Sequence, residues 1–510
     1  MESHKKAVAA VAASVRRFYD RKEPFRIFHG STNSTRSILF WRGNVVDTSK
    51  LSHVLNVDTK RKTALVEPNV PMDRLVETTL KYGLVPPVVM EFPGITVGGG
   101  YAGTSGESSS FKHGFFNRTI NHVDMILANG DCVAASERER ADLFYGAAGA
   151  VGSLGVVTAV ELQLIEAKKY VETTYHPVHS VSEATQKIRS LTSDTNLDYV
   201  DGILFSLNEG VIVTGRMTND VQKDIPIRQF SGPKDPWFYL HAKDIIVKTK
   251  GKSTTTELIP LDEYLFRYDR GGFWVGASAF EYFYMPFNRL TRWFLDEFLH
   301  TRQLYTALHA SGFSTPYIVQ DLALPYSTVE QFIEYTDKAF GIYPLWLCPL
   351  RQDILQTFHP HSPETEADGK TLVPMLNIGL WGYGPSNRQA FFKLNRQLET
   401  KLQELGGMKW LYANTYYSKS NFWEIYDRQW YDELRTKYHA TSLPSVYDKV
   451  HTDFEAEEKA VKGSWLLWLW TLWPLAGLRG VHAVIASGQR FLAWKSRWKS
   501  IKAKDSVDVN

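Results

Sequence analysis

Three glycine-rich stretches in the first third of the chain have the residue types that bind a phosphate or a cofactor backbone. They cover residues 28–36, 94–107 and 142–158. Glycine allows positive φ angles and lets backbone N–H groups approach a ligand, because no Cβ stands between them. Successive N–H groups form a concave anion site, and the Ser and Thr hydroxyls of the same stretches add donors. The stretches therefore predict a site for a phosphate-containing cofactor.

The second stretch contains a G-x-G-x-x-G motif at Gly98, Gly100 and Gly103. A Rossmann dinucleotide site needs a strand before this motif, an apolar helix after it and an acidic residue about 20 positions further on. Here the polar, serine-rich segment 104–112 follows, which is a poor helix. The sequence also lacks a G-x-x-x-x-G-K-[ST] motif, so neither a Rossmann site nor a P-loop NTPase is predicted.

The elements around these stretches form an α+β pattern. Short apolar runs alternate with turns from residue 26 to 167, and Asn129-Gly130 between two such runs predicts a β-hairpin. Apolar side chains recur at helical spacing in residues 1–20, which predicts an amphipathic helix. The other predicted elements are strands at 26–28, 63–67, 88–90, 124–127, 131–135 and 156–164 and a helix at 72–82.

Glycine becomes sparser after residue 168, and aromatic residues become dense. Strand-like runs such as 210–214 and 343–348 alternate with helix-like runs such as 387–402, which predicts a second domain. Aromatic residues are most concentrated in 273–287. Two interpretations stay open for them, a hydrophobic core or a pocket for a large, flat, apolar ligand.

Residues 465–504 form a third kind of segment. The apolar run 465–478 contains four tryptophans, and its fourteen residues fall short of the ~20 that cross a bilayer as a helix. The helix predicted next, 481–504, sets aromatic residues among lysines and arginines. This pattern is typical of an interfacial membrane anchor. The alternative is a C-terminal helix that packs on the protein and keeps its lysines in water.

Composition and charge exclude several classes of protein. The chain has 510 residues, of which 44% are hydrophobic and 22% charged, so it is not a disordered chain. Cys132 and Cys348 are its only cysteines, which excludes a disulfide scaffold or a Cys₄ zinc site and favours a reducing compartment. We expect both to be buried packing residues, and no metal site is predicted.

The net charge of +3 is unevenly distributed. Six basic residues and no acidic ones lie between 490 and 504, which leaves 52 basic and 55 acidic residues in the rest of the chain. Because phosphate binding requires a basic face on the folded body, this balance argues against nucleic acid as a partner.

The order, spacing and content of the glycine stretches resemble the FAD-binding domain of the vanillyl-alcohol-oxidase type (PCMH) flavoproteins. The resemblance covers residues 26–167 and includes the strand–turn–strand segment 122–131. The third stretch is similar to that family's Asp-Leu-Phe…Gly-x-x-Gly-x-x-Gly pattern. The residues that the resemblance assigns to the cofactor are Gly30, Ser31, Thr32, Asn33, Ser34, Thr35, Thr96, Val97, Gly98, Gly99, Gly103, Thr104, Glu107, Ser108, Gly149, Gly152, Gly155 and Val156.

Further segments resemble the Δ24-sterol reductase (DIMINUTO/seladin-like) branch of these flavoproteins. They are 96–99, 107–114, 167–171, 343–349, 411–414, 422–424 and 446–450, so this resemblance covers about residues 26–450. It implies noncovalent FAD, NADPH as the reductant, and reduction of an isolated C=C bond in a sterol side chain. Covalent attachment of FAD through His29 is the alternative, because some members of the wider family use a histidine near the first loop.

Two departures from this branch leave the substrate open. The branch usually has an N-terminal membrane segment, whereas this sequence begins close to the FAD-binding region, and the first loop, 30–35, is less basic. A related terpenoid or another polycyclic natural product is therefore a second substrate class. The alternative activity is an FAD-dependent oxidase or dehydrogenase that acts on a lipophilic natural product with O₂ as acceptor. A flavin-free binding protein that retains the fold is a third hypothesis.

The reduction of an isolated C=C bond requires a positioned acid in a dry, apolar pocket, because the substrate offers no carbonyl to polarise. The candidates, in order, are Tyr412, His113, Lys112 and Glu424. Tyr412 lies in a segment that resembles the sterol reductases, although it could equally be a core tyrosine with a satisfied hydroxyl. Lys112 and His113 follow the second glycine stretch, where they would contact flavin or nicotinamide or merely the loop. Apolar neighbours would raise the pKa of Glu424, but a solvated helix residue is the favoured interpretation of it.

The predicted architecture is therefore α+β, with a two-subdomain PCMH-type FAD-binding domain, an α+β substrate (cap) domain and a C-terminal hydrophobic and basic helical segment. The predicted boundaries are 1–25 for the N-terminal helix, 26–167 for the FAD-binding domain, 168–455 for the substrate domain and 461–504 for the membrane-associated segment. The expected partners are a small lipophilic substrate and a membrane surface. The expected location is the endoplasmic reticulum or another intracellular membrane, with the catalytic domain in the cytosol.

Overall fold

The computed structural model has a mixed α/β architecture with two large antiparallel sheets. It describes residues 1–30, 44–311, 317–353, 356–453, 459, 463–465, 469 and 472–488. The helices in these ranges are α1 Glu2–Asp20, α2 Met72–Leu80, α3 Val97–Gly103, α4 Ser110–His113, α5 Ala141–Ala147, α6 Val181–Leu191, α7 Phe238–Thr249, α8 Leu261–Leu265, α9 Val275–Tyr282, α10 Arg289–Phe294, α11 Thr301–Ser311, α12 Val329–Phe340, α13 Arg388–Glu404, α14 Lys419–Ile425, α15 Arg428–Lys437, α16 Val446–Val450 and α17 Leu475–Ser487.

The first large sheet lies in the region of the glycine stretches. Its strands follow the order β3-β4-β8-β6-β7, and every neighbouring pair is antiparallel. Strands β6 and β7 form the predicted hairpin around Asn129-Gly130, where Gly130 has a φ of +88° that glycine favours. The strands of this sheet are β3 Val54–Asp58, β4 Thr63–Val66, β6 Ile120–Leu127, β7 Cys132–Ser136 and β8 Gly155–Gln163.

Two short strand pairs accompany this sheet. Strand β1, Arg26–Phe28, runs parallel to β2, Val45–Asp47, whereas β5, Leu84–Val85, is antiparallel to β9, Ile165–Glu166. The strand predicted at 88–90 is wrong, since those residues are buried outside any strand of the described chain. Two prolines at 86 and 87 follow β5, and proline cannot continue a strand because it has no backbone N–H.

The cysteine predictions have different outcomes. Cys348 is buried, as expected from its apolar neighbours. Cys132 is exposed, so that prediction is wrong. It begins β7, the edge strand of the first sheet, where a side chain that points away from the core meets water.

The second large sheet has the strand order β13-β10-β12-β11-β15-β16-β14-β17 and is antiparallel throughout. The predicted domain boundary at 168 falls between β9 and β10, and the four-part division of the chain stays a prediction. The strands of this sheet are β10 Tyr170–Val178, β11 Tyr199–Ser206, β12 Glu209–Thr218, β13 Thr255–Pro260, β14 Tyr317–Pro325, β15 Leu345–Leu350, β16 Met375–Tyr383 and β17 Met408–Lys409.

The second sheet is buried on both faces, and the two-residue repeat of a strand assigns side chains to them. In β15, Leu345 and Leu347 belong to one hydrophobic cluster, whereas Trp346 and Cys348 belong to the other. Helices α6, α12 and α13 cover the first face. The second face joins the core that also contains the first sheet, so its side chains are directed toward the glycine stretches.

The two terminal helices differ in how well the sequence predicted them. Helix α1 forms as expected and buries Val11 and Val15. The helix predicted at 481–504 has the wrong bounds, because α17 begins at Leu475 and ends where Gly488 adopts the left-handed conformation. Its residue Gly480 packs closely on Ala307 of α11. Residues 489–504 lie outside the described ranges, and no helix among the described residues is long and apolar enough to cross a membrane.

Tyr431 of α15 connects the third glycine stretch to the C-terminal part of the fold. Its buried hydroxyl donates to Ser153 Oγ at 2.7 Å and accepts from the Val446 N–H at 3.0 Å. We expect Tyr431→Phe to lower the free energy of unfolding by about 1–3 kcal/mol, because it leaves buried polar groups without partners. Urea unfolding measures this loss.

The matched control is Tyr145→Phe, whose hydroxyl donates to Glu137 at an exposed site. Its expected loss is below about 1 kcal/mol, since water replaces the lost partner. An equal loss in both variants would contradict the role of Tyr431.

Candidate active site

A cavity of about 1320 Å³ lies between the glycine stretches and the second sheet. Its volume exceeds the roughly 300–1,000 Å³ of a site for one drug-sized ligand. The glycine side contributes residues from all three stretches, whereas the other side is formed by strands β14, β15 and β16 and by helices α9, α11 and α17. The space is therefore suited to two molecules, or to one molecule with a polar and an apolar end.

The predicted cofactor residues fall into three groups in the structure. The cavity is lined by Gly30, Thr96, Gly98, Gly99, Gly103, Glu107, Gly152, Gly155 and Val156. The residues that lie behind this wall are Val97, Thr104, Ser108 and Gly149. The predicted residues outside the described ranges are Ser31, Thr32, Asn33, Ser34 and Thr35.

The second stretch uses its first N–H groups within the protein rather than toward the cavity. The N–H of Val97 donates to Val70 O, that of Gly98 to Pro68 O and that of Gly99 to the Thr96 side chain, at 3.0, 2.7 and 3.1 Å. A Cβ at Gly98 would lie 2.7 Å from Pro68 Cβ, so this glycine is required for close packing. Only a structure reveals this use, because a sequence does not say which partner an N–H finds.

Gly103, at the end of α3, faces the cavity differently. A Cβ built there would meet no atom of the described residues within 4 Å, so the backbone at this point borders the cavity. In the third stretch, Lys449 Nζ donates to the carbonyls of Val151 and Gly152 at 3.1 and 2.8 Å. The segment 446–450 thus fixes the third glycine loop against the cavity.

The side chains that line the cavity opposite the glycine stretches alternate with buried ones along their strands. Tyr317, Val319 and Asp321 are two residues apart in β14 and line the cavity together. Trp381 of β16 is paired with Val319, and its indole crosses Gly379, where a Cβ would lie 2.7 Å from the ring. Glycine at 379 is therefore necessary for the aromatic wall.

Aromatic side chains dominate this wall. The ring centroids of Phe273 and Trp381 are 4.6 Å apart, and those of Trp346 and Trp381 are 6.0 Å apart. The aromatic-rich segment 273–287 also lines the cavity, through Phe273, Phe280, Tyr282 and Phe283. Other members of the segment, such as Trp274, are buried in the core, so both interpretations of this segment apply to different residues.

Asp321 and Tyr412 form a polar pair in this apolar wall. The Tyr412 hydroxyl donates to Asp321 Oδ2 at 2.5 Å, and Asn377 Nδ2 donates to Oδ1 at 3.1 Å. Burial raises the pKa of Asp321 to about 6, although both hydrogen bonds lower it. Burial also raises the pKa of Tyr412 well above its usual value. Near neutral pH the pair therefore holds a proton on the phenol and readily accepts a second one.

A buried ion pair holds the loop that carries Tyr412. Lys409 Nζ donates to Glu399 Oε1 at 2.9 Å and to the Asn414 carbonyl at 2.5 Å. Glu399 also accepts the Tyr416 N–H at 2.9 Å. Burial lowers the pKa of Lys409 and raises that of Glu399. These bonds fix the backbone on both sides of Tyr412.

A second acidic group enters the cavity beside the glycine stretches. Glu91 Oε1 lies 3.1 Å from the guanidinium of Arg267, which makes its shorter bond, 2.8 Å, to Asp201. Neither oxygen of Glu91 has a hydrogen-bond partner among the described residues. Burial raises the pKa of Glu91 to about 8, against the attraction of Arg267. Glu107 is close by, and burial and the charge of Glu91 raise its pKa as well.

The predicted catalytic residues are not brought together. Tyr412 lines the cavity, whereas Lys112, His113 and Glu424 do not. Lys112 of α4 is paired with Asp198 at 2.9 Å, and burial lowers the pKa of the neighbouring His113. Glu424 is exposed on α14, because its apolar neighbours in sequence point to another side of the helix.

The sequence patterns did not predict Glu91 and Asp321 as site residues. Each had a signal, because Glu91 ends the apolar run that starts at residue 88 and Asp321 stands within an apolar strand. An acidic side chain beside or within an apolar run is almost never fully buried without a partner, so each of these two positions called for an explanation. Because residues 88–90 were predicted as a strand, Glu91 was read as the polar end of that strand. The sequence gave no indication that β14, which carries Asp321, pairs with β16.

Comparison with known proteins agrees with this site. A family model described as an FAD binding domain matches residues 6–136. The Δ24-sterol reductases of Rattus norvegicus and Homo sapiens are each 31% identical to this chain over 417 residues, which cover 78% of the chain and 76% of the relative. The enzyme of Arabidopsis thaliana is 28% identical over 435 residues, which cover 79% and 76%.

The chain belongs to the Δ24-sterol reductase family. It is an FAD-dependent oxidoreductase with a PCMH-type FAD-binding domain. The predicted resemblance to this family is confirmed, as are a mixed α/β architecture and an FAD-binding domain. The predicted roles of the individual site residues stay predictions.

The residues on the glycine side fit the FAD of this reductase family. The open space beside Gly103 leaves room for a ligand at the backbone. Arg26 and Lys449 line the cavity and supply positive charge for a pyrophosphate, and Thr96 and Ser105 supply hydroxyls. The aromatic side of the same cavity provides the flat, apolar surface on which a ring system can lie.

Gly103→Leu tests this fit, because the new side chain would enter the open space. We expect the Kd for FAD to rise by at least about tenfold, which is ~1.4 kcal/mol. The fold should be retained, since a Cβ at this position meets nothing within 4 Å. Flavin absorbance titrations of the apoprotein measure the affinity. Gly103→Ala is the matched control with a small expected change, and an unchanged affinity in the leucine variant would contradict the assignment.

Glu91 should make stability depend on pH. Because its folded pKa is about 8 and its ordinary value is 4.5, the protonated carboxyl stabilises the fold below pH 4.5 and this contribution is lost as pH rises through 8. We expect the free energy of unfolding of the native protein, relative to Glu91→Gln, to fall between these two pH values. Urea unfolding at a series of pH values, with FAD at one concentration, measures it. A difference that stays flat would show that Glu91 does not titrate there.

Proposed function

We propose that this protein reduces a C=C bond in the side chain of a sterol or related terpenoid, with NADPH as the source of electrons. The curated relatives are named Δ24-sterol reductases. The observation that carries the proposal is the continuity of one cavity from the glycine stretches to an aromatic space large enough for a second, apolar molecule.

Bound FAD supplies the hydride chemistry of such a reaction. The chain must then supply a proton for the second carbon and a site without water around an unactivated bond. The walls of the cavity beside β14 and β16 are apolar and aromatic, through Val319, Trp381 and Phe273. Aromatic faces also attract a developing positive charge on carbon, which favours proton transfer to the alkene.

Tyr412 is the proposed proton donor, and Asp321 is its proposed partner. The phenol keeps its proton at neutral pH because its pKa is raised, and the 2.5 Å bond aligns it with Asp321. When Asp321 is protonated, its carboxyl donates to the phenol oxygen in this same contact, and the phenol O–H is left to face the substrate carbon. As Tyr412 gives its proton to that carbon, Asp321 transfers its own proton to the phenol oxygen and is later reprotonated from water. The cost of a buried phenolate is thereby avoided.

We also propose that the protein associates with the endoplasmic reticulum or another intracellular membrane through residues 461–504, with the catalytic domain in the cytosol. Trp465, Trp473 and Leu478 are exposed apolar side chains of this segment. Between 463 and 504 the sequence contains basic residues and no acidic ones, which suits anionic lipid headgroups.

Anaerobic stopped-flow absorbance tests this function in two separate steps. We expect NADPH to bleach the flavin and a sterol with a Δ24 double bond to restore its absorbance. Tyr412→Phe should keep the first step and slow the second by about 10²–10⁴-fold, because only the second needs the acid. In the native protein the second step should slow as pH rises above about 6, where Asp321 loses its proton, and Asp321→Asn should lose this dependence.

The control variant is Tyr383→Phe, a tyrosine of the same cavity whose hydroxyl donates to the Ser278 carbonyl at 2.9 Å. Its expected effect on both steps is small. Failure of NADPH to reduce the flavin, together with rapid reoxidation by O₂ after reduction by an alcohol, would overturn the reductase proposal in favour of an oxidase. Equal slowing in both tyrosine variants would overturn the role of Tyr412 alone.

A further inference from the structure

Residues 284–294 present large apolar side chains to solvent. The exposed fractions of Tyr284, Leu290 and Phe294 are 82%, 70% and 76%, and Trp293 is also exposed. In α10, Leu290, Trp293 and Phe294 are three and four residues apart, so they share one face of the helix. Exposed aromatic and aliphatic side chains in such a group mark a contact surface.

The orientation of α10 is the reverse of that expected for a helix on a protein surface. Its Arg292 is directed inward, with the guanidinium carbon 4.8 Å from the ring centroid of Phe287 and 5.8 Å from that of Trp237. A capping box between Asn288 and Thr291 fixes the start of the helix. Since the charged residue is held inside, the apolar face is held outside.

This face lies where the cavity reaches the surface. Met285 lines the cavity and is itself exposed, and Tyr282, Phe283 and Leu295 line it on either side in sequence. Trp473 joins this face, because its ring lies 5.5 Å from that of Tyr284 and its Nε1 donates to the Tyr282 carbonyl at 2.9 Å. We call Tyr284, Leu290, Trp293, Phe294, Trp473 and Leu478 the mouth surface.

The composition of the mouth surface suits the interface of a lipid bilayer. Segment 282–295 contains Arg289 and Arg292 and no acidic residue, although Glu281 and Glu297 lie beside it, and Arg479 follows Leu478. Arg289 is exposed, so it is available to a phosphate. Tryptophan and tyrosine with a few arginines are the composition that settles at the boundary between lipid tails and headgroups. A lipid surface is therefore the occupant that this face fits.

We propose that the mouth surface inserts into the headgroup region of an anionic bilayer, so that the cavity opens directly into lipid. The contact is made by the folded catalytic body and is additional to any contact of residues 489–504. A lipophilic substrate would then pass between bilayer and cavity without crossing water. That last step rests on the proposed reaction, and the share of Trp473 and Leu478 in the insertion rests on the membrane association proposed for residues 461–504. The share of residues 284–294 rests on neither.

The first test is co-sedimentation of the full chain with vesicles of phosphatidylcholine and phosphatidylserine. We expect the triple variant Leu290→Ser, Trp293→Ser, Phe294→Ser to bind at least about tenfold more weakly, because its outward face loses its apolar area. The matched control replaces three exposed apolar residues elsewhere, Tyr82→Ser, Val221→Ser and Val247→Ser. It should bind like the native protein.

The second test measures whether α10 itself enters the lipid. A polarity-sensitive dye is attached at Leu290→Cys in a Cys132→Ser background, where the remaining cysteine, Cys348, is buried. We expect a blue shift of its emission when these vesicles are added, and none from the same dye at Val247→Cys. Neither test needs NADPH or a sterol, so their failure is distinct from failure of the proposed reaction.

Two results would overturn the proposal. One is an unchanged emission of the dye at position 290 when vesicles are added, although the protein still sediments with them. The C-terminal residues alone would then bind lipid. The other is a native dimer that the triple serine variant converts to a monomer with unchanged vesicle binding, which would assign the mouth surface to a second copy of the chain.

Discussion

A buried arginine joins the two sides of the candidate active site. Arg267 bonds Asp201 of the second sheet at 2.8 Å and lies 3.1 Å from Glu91 beside the glycine stretches. Its guanidinium also lies over the rings of Tyr264 and Tyr268. Because a buried charge that loses its partner costs ~3–5 kcal/mol, Arg267 and Asp201 must stay together. Arg267 thereby brings the second sheet, at Asp201, against the region of the glycine stretches, at Glu91.

The second sheet also constrains which side chains can line the cavity, since both of its faces are buried. One face packs on helices, and the alternate residues of β14, β15 and β16 are left for the cavity. Few polar groups lie on that face, and the strand register sets the position of each. Asp321, for example, pairs with Gly379 of the neighbouring strand. The result is a largely apolar wall in which Asp321 and Tyr412 form a hydrogen-bonded polar pair.

The sequence determined the cofactor class and the family. The three glycine stretches, the hairpin at Asn129-Gly130 and helix α1 depend on local spacing and turn chemistry, which a sequence displays. The strand at 88–90 failed because an apolar run shows burial and does not show pairing. The range of the C-terminal helix failed because basic and aromatic residues continue beyond the glycine that ends it.

Only the tertiary structure decided which acids face the cavity. Glu91, Asp321 and Tyr412 are separated by 230 and 91 positions, and strand pairing brings the latter two to 2.5 Å. His113, Lys112 and Glu424 were lower-ranked candidates in the sequence, and none of them lines the cavity. Lys112 is paired with Asp198, His113 is partly buried elsewhere, and Glu424 is exposed on its helix. A sequence gives residue types and local periodicity, whereas desolvation and partner distance, which set a pKa, arise from contacts between distant segments.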